Sequence, residues 1–411
     1  MEETLLPKEN KRVTLTNSKS SSGFVQELKN VSLMAAPMVV VSVSQFLLQV
    51  VSLMMAGHLG ELSLAGVALA TSFADVTGFS ILMGMAGALE TQCGQSFGAE
   101  QFHKLGNYVF CAILSLILSS VPISIIWIFM DKLLILLGQD HAISLIAGNY
   151  CIWLIPALFG YAVLQALKTK IALGSNALRS IKEFFFLAIP SALMICFEWW
   201  SFELVVILAG LLPNPKLETS VLSICLNICT LHYFIPYGTG AAVSTRVSNE
   251  LGARRPQAAR EAVFAVIVLA FTDAVVFSSV LFCFRHVLGF AFSNEMEVVH
   301  YVAKIVPVLC LSFMVDGFLG VLCGIVRGSG WQKIGAITNL VAYYAVGIPV
   351  SLLFGFGLNF NGKGLWIGIL TGSTLQTIIL ALLTAFTNWE KQVLNSVLYL
   401  LFYVLTYSKN Q

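Results

Sequence analysis

Six carboxylates stand inside long apolar stretches of this chain: Asp75, Glu90, Glu198, Glu203, Asp273 and Asp316. An acidic group at the centre of a membrane helix costs roughly 2.5–3.5 kcal/mol on insertion scales, so each one asks for a reason. Glu198 lies about midway along 184–211, beside Trp199 and Trp200. Asp316 lies within 298–323 and is followed by Gly317 and Gly320, where another backbone can come close. An apolar surrounding disfavours the charged form of a carboxylate, and a second carboxylate in the same cavity adds to that effect. Such a pair can bind and release a proton, and a cation can compete with the proton for the same charge. Glu90 and Glu203 sit toward the ends of their stretches, which points to structural or interfacial roles. Asp273, beside Thr272, can bond across helices, and Asp75 can face a cavity. Candidate substrate contacts are Trp199, Asn339, Tyr343 and Tyr344. Asn339 and Tyr343 are spaced to share one helix face, and aromatic faces suit organic cations.

These groups are carried by ten apolar runs: 33–56, 62–88, 107–129, 143–167, 184–211, 220–244, 261–283, 298–323, 334–358 and 364–387. A bilayer core needs about 20 apolar residues in a helix, whereas barrel strands alternate over about ten. Each run is long enough to span as a helix. Hydrophobic residues make up 57% of the 411 and charged residues 11%. Soluble domains carry about 25% charge, so a soluble enzyme is excluded. A net charge of +2 gives no reason to expect nucleic acid. With the N-terminus in the cytosol and the spans alternating, 18 of the 23 lysines and arginines fall on the inside. That bias is the positive-inside pattern, and it places both ends in the cytosol. Arg246 and Arg327 are counted here as residues of inside loops. The first 30 residues have no apolar core, so no cleavable signal peptide is expected. The nine cysteines lie in or beside apolar runs and read as small buried hydrophobes. No metal-ligand spacing is present. The six histidines lie mostly at loops, without the paired motifs of a membrane transferase, so no enzyme is expected. The stretch Val393–Tyr407 is too short to span comfortably and reads as a surface-lying tail.

The chain repeats itself. Gly84, Ala88, Thr91, Gly98 and Ala99 match Gly238, Ala242, Thr245, Gly252 and Ala253 at an offset of 154. Pro37 matches Pro190, and Tyr150 and Pro156 match Tyr301 and Pro307, at nearly the same offset. An even number of spans separates the copies, so both have the same orientation, an arrangement found in transporters. The second copy continues through two further spans, 334–358 and 364–387, that have no partner in the first. A six-plus-six design has become four-plus-six, with Lys168–Lys182 as the seam.

Five segments carry a family resemblance: 43–62, Ala88-Leu-Glu-Thr-Gln-Cys-Gly-Gln95, Cys196-Phe-Glu-Trp-Trp-Ser-Phe-Glu-Leu204, Ser244-Thr-Arg-Val-Ser-Asn-Glu-Leu-Gly-Ala253 and Lys363-Gly-Leu-Trp-Ile-Gly368. Together they resemble the plant branch of the multidrug and toxic compound extrusion (MATE) transporters, the DETOXIFICATION proteins. The resemblance implies an all-α polytopic membrane protein, a two-lobe MATE-type helical bundle, here with about ten spans in place of twelve. It implies domains 1–30 (cytosolic N-terminal tail), 31–175 (N-lobe of four helices), 176–389 (C-lobe of six) and 390–411 (C-terminal tail). The implied function is export of organic cations, xenobiotics or secondary metabolites in exchange for protons, or for sodium. Glu198 and Asp316 occupy the motif positions of the family's proposed coupling pair. Some relatives use an aspartate in the first span, where this chain has Gln45 and Gln49, so coupling is expected in the C-lobe. The missing helices keep two alternatives open, a truncated non-transporting form and a related-fold lipid flippase. No cofactor is implied beyond the H+ or Na+ gradient. The implied partners are a small organic cation or metabolite and the lipid bilayer, the state is a monomer, and the place is the plasma or vacuolar membrane.

Overall fold

The computed structural model describes residues 19–167, 181–292 and 295–396, and among them there are helices and no strands. The seam from Lys168 to residue 180 and most of the stretch Val393–Tyr407 lie outside the described residues. Ten helices are long and apolar enough to cross a membrane, one for each run read from the sequence. The first is α1 (Lys19–His58). The second is a single rod made of α2 (Glu61–Ala74), a π-helical turn (Asp75–Phe79) and α3 (Ser80–Gly98). Next come α4 (Phe102–Ile128), a short α5 (Met130–Leu136) and α6 (His141–Leu167). The second half holds α7 (Ile181–Ala209), α8 (Pro215–Gly252), α9 (Pro256–Cys283) and α10 (Met296–Ser329). It ends with α11 (Gln332–Asn339), which runs through π-helical turns and α12 (Ile348–Leu352) to Gly357, and with α13 (Asn361–Ala385).

Several helices extend beyond their apolar runs, because a helix keeps its backbone bonds after it leaves the lipid. The tail expected at 1–30 is helical from Lys19 onward, so its boundary moves. Phe24 packs edge-on against Phe264, and Glu27 forms a two-pronged bond with Arg246 at 2.7 and 3.0 Å. Arg246 also pairs with Glu250 at 2.7 Å. It is a residue of α8, one turn and a half from its end, and it is not in a loop. Cys283 is exposed and Cys310 half-buried; the other seven cysteines are buried, as small hydrophobes in a close-packed bundle would be.

The glycines of the repeat explain its symmetry. A methyl group added at Gly84 would strike the backbone of Ala192 on α7, and one at Gly238 would strike the backbone of Val39 on α1. Gly98 lies against the backbone of Asn249, and Gly252 lies against the backbone of Gln95. Each contact is the repeat image of its partner, since Val39 and Ala192 correspond and so do Gln95 and Asn249. The repeated glycines are therefore the points where the two halves touch. Only a residue without a side chain allows helices to approach that closely.

The two halves differ where helices are missing. In the second half, α11 and α13 cover α7, and α13 covers α10. Their images in the first half, α1 and α6, have no such cover. Buried residues make up 12% of the most apolar stretch of α1 but 44% of that of α7, and 28% for α6 against 67% for α10. The second rod and its image α8, which form the contact between halves, are equal at 44%. The loss of cover thus falls on the two helices that a missing pair would cover. One apolar core joins α2, α3, α4 and α6 with the start of α7 through Phe184, Leu187 and Ala188. A second lies in the second half and takes in Val31 of α1, a third lies within the second half, and a small one, with Phe46, Ile195, Phe234 and Tyr237, lies between the halves.

Candidate functional site

Between the halves, toward the end that carries the α1–α2 and α7–α8 turns, lies a cleft of about 260 Å³. Glu198, Trp199, Asp316, Asp75 and Glu203 all line it. Glu198 and Asp316 arrive from α7 and α10, 118 residues apart in sequence, and both are nine-tenths buried. Glu198 is held from behind. The Asn339 and Gln376 side-chain amides each stand 3.5 Å from its Oε2, and the Tyr233 hydroxyl bonds to it. Asn339 is itself fixed, donating to the Met194 carbonyl at 2.6 Å and accepting from Gln376 at 2.7 Å. Asp316 accepts no hydrogen bond from any described residue; what it meets is the charge of Glu198. A buried carboxylate without a donor needs a proton or a cation, because its charge is otherwise uncompensated.

The rest of the cleft comes from the first half, from the far end of α7 and from α8. The π-helical turn begins at Asp75, and such turns free backbone groups and re-aim side chains. Trp200 Nε1 donates to the Val76 carbonyl at 2.9 Å, and Trp127 Nε1 donates to Thr77 Oγ1 at 2.9 Å. Gln49 Nε2 donates to Asp75 at 3.1 Å, and Ser72 Oγ donates to Glu203 at 2.8 Å. Glu203, expected in a structural or interfacial role, joins two helices through this bond. It reaches across to α2, because the cleft runs along that end of α7.

The sequence-derived contacts divide. Trp199 lines the cleft with Phe46, Phe202 and Phe234. Asn339 is fully buried, is not among the lining residues and stands 3.5 Å from Glu198 Oε2, a position from which it can orient the carboxylate. Tyr343 and Tyr344 are not among the lining residues. Tyr343 is fully buried and shares a 3.2 Å bond with Ser373, while Tyr344 lies edge-on against Phe197. The reason is local: residues 340–347 are π-helical, so the α-helical spacing used to place them does not hold. Sequence reading missed Tyr233 and Gln376. Gln376 left a signal, as an amide in an otherwise apolar run. Histidine placement was also misjudged for His232, which is buried in α8, bonded to Asp273 at 3.0 Å and stacked on Phe313.

The end away from the cleft is tied across the halves. Glu90 and Arg327, from α3 and α10, form an ion pair at 3.2 Å. Thr91 bonds to the Arg327 carbonyl, and Gln332 donates to Thr91 Oγ1 at 2.7 Å. Arg327 is almost fully buried and lies over the Tyr237 ring, so it is not the loop residue that the topology count assumed. The expected consequence is that Glu90→Ala strands a buried guanidinium and destabilises the protein by about 3 kcal/mol. The double variant Glu90→Ala with Arg327→Met should recover most of that, because the stranded charge is gone. Thermal unfolding midpoints in lipid nanodiscs check both, and an unchanged midpoint for Glu90→Ala would show that the pair adds nothing.

Comparison with known proteins agrees with this architecture. The family model described as MatE matches residues 37–175 and again 190–353, one match for each copy of the repeat. Protein DETOXIFICATION 3 of Arabidopsis thaliana is 47% identical over 460 residues, covering 95% of this chain and 97% of that protein. Protein DETOXIFICATION 8 of the same plant is 49% identical over 434 residues, covering 89% and 90%. Taking in 95% of 411 residues across 460 aligned positions leaves about 70 positions of DETOXIFICATION 3 with no residue opposite them here, enough for two spans of about 20–25 residues with their loops. The crystal structure of eukaryotic MATE transporter AtDTX14 superposes with a TM-score of 0.86 at 42% identity, covering 91% of this chain and 99% of that one. The chain is an integral, multi-pass membrane protein that belongs to the MATE transporter family and is of the DETOXIFICATION type.

Proposed function

We propose that this protein is a cation-coupled antiporter that binds organic cations in the cleft and exchanges them for protons, with Glu198 and Asp316 as the coupling pair. The observation that carries the reading is the cleft lining: four carboxylates, aromatic faces, and no lysine, arginine or histidine. An unprotonated cleft of this kind attracts a cation, and a protonated one releases it. Aromatic rings supply a surface on which an organic cation is favoured over a hydrated metal ion. With the N-terminus in the cytosol, the end tied by Glu90–Arg327 is cytosolic and the cleft opens outward, the state in which substrate leaves and a proton enters. Alternating access then requires the contacts at Glu90–Arg327 and at the paired glycines to part. The substrate is a small organic cation, xenobiotic or metabolite, handled by a monomer in the plasma or vacuolar membrane.

The test is accumulation of a panel of organic cations in proteoliposomes under an imposed pH gradient, beside equilibrium binding of the same cations to the purified protein. Gradient-dependent accumulation, abolished by a protonophore, is expected. Accumulation that ignores the gradient, with no cation bound, would overturn the reading.

A further inference from the structure

The cleft holds more carboxylates than one singly charged substrate needs. Its four carboxylates fall into two groups held by different parts of the fold. Glu198 is tied to α11 and α13 through Asn339 and Gln376, and Asp316 stands on α10, which packs against α13. Asp75 and Glu203 belong to the contact between the halves. Asp75 stands on the first half and is tied to α1 by Gln49, whereas Glu203 stands on α7 and is tied to α2 by Ser72. The two are close enough to repel one another. Trp200, between Glu198 and Glu203 in sequence, fastens α7 to the π-helical turn that presents Asp75. Glu198 and Glu203 are five residues apart on one helix, which is about 7.5 Å along its axis and about 140° around it. They thus flank the cleft toward opposite sides while both line it. Phe46, Trp199, Phe202 and Phe234 supply an apolar surface in the same cleft, and Asp316, nine-tenths buried and without a hydrogen-bond donor, lines it as well.

We infer that Asp75 and Glu203 form a second cation station, separate from the Glu198–Asp316 pair, so that the cleft favours substrates carrying two positive charges joined by an apolar linker. The inference rests on the cleft being an organic-cation site. One charge sits at the Glu198–Asp316 pair, the linker lies along the aromatic faces, and the second charge sits between the halves at Asp75 and Glu203. Because that second station takes one carboxylate from each half, a bound dication also bridges them.

The probes are hexamethonium, with a quaternary nitrogen at each end of a six-carbon chain, and hexyltrimethylammonium, the same chain with one charge. Isothermal titration with the purified full chain reads both. The wild type should bind hexamethonium about tenfold more tightly or better, as a second buried charge contact allows. Asp75→Asn and Glu203→Gln should each bring that ratio to within about twofold of unity, because each weakens hexamethonium far more than hexyltrimethylammonium. Glu198→Gln should weaken both probes. Two single variants on different halves keep the test decisive if one assembles poorly, and size-exclusion profiles identify that case. A wild-type ratio near one, or a ratio that survives both Asp75→Asn and Glu203→Gln, overturns the second station while leaving the cation site intact. Binding of neither probe overturns the cation site and this inference with it.

Discussion

Glu198→Gln is expected to abolish gradient-driven efflux, and Asp316→Asn to do the same, with both proteins folding and inserting normally. Each change keeps the shape of the side chain and removes its ability to titrate. At Glu198 the amide oxygen of glutamine can still accept from Asn339, Gln376 and Tyr233, so the supporting network stays in place. At Asp316 no hydrogen bond is lost, because none is made among the described residues. What is lost is charge. Removing one member of a desolvated charge contact costs about 2–5 kcal/mol, which is roughly 30-fold or more in cation affinity. The cost to coupling is larger in kind, because a neutral amide cannot exchange a proton for a cation. Efflux of a fluorescent cation from proteoliposomes, measured from pH 6 to 8 at matched protein levels, is the check. Transport at the wild-type rate by either variant would remove that residue from the coupling pair.

Adding back the two missing helices should raise transport by about tenfold or more, since alternating access needs two stiff halves closing on one sealed cavity. The insertion is roughly 70 residues, two spans of about 20–25 residues with their loops, placed between Lys170 and Lys182. Lipid can cover the bare faces of α1 and α6 without a large hydrophobic penalty, because lipid tails are as apolar as the side chains they meet. The fold therefore persists, and with it the Glu198–Asp316 site in the complete half. Sealing is different. A crevice of about 560 Å³ lies between the half that lacks the pair and α8, lined by Met34, Pro37 and Met38 of α1 with Glu90, Leu105, Gln165, Thr245 and Asn249. Protons or lipid that enter there can separate the gradient from substrate movement. The 411-residue chain is thus expected to bind organic cations and to transport them slowly. The measurement is pH-gradient-driven efflux of one fluorescent cation by both proteins. Equal rates would show that the two helices are dispensable.

The sequence by itself determined the number of spans, the repeat and its missing pair, because each depends on composition along one chain. A run of about 20 apolar residues has one stable fate in lipid. The repeated glycines were legible as matches, and their physical cause, close contact between halves, needed coordinates. Glu198 and Asp316 were legible as candidates because a carboxylate in an apolar run is costly wherever it points. Which carboxylates share a cleft was decided by tertiary structure. Periodicity says which face of a helix a residue occupies, but not which helix stands opposite. A position near a span end left Glu203 structural or interfacial, and only the fold places α2 across from it; Asp75 likewise gains its partner Gln49 from the π-helical turn. Arg327 read as a loop charge because a sequence shows no difference between a basic residue in water and one buried against Glu90. Tyr343 and Tyr344 failed for a local reason, since a π-helical stretch breaks the 3.6-residue period on which their placement relied.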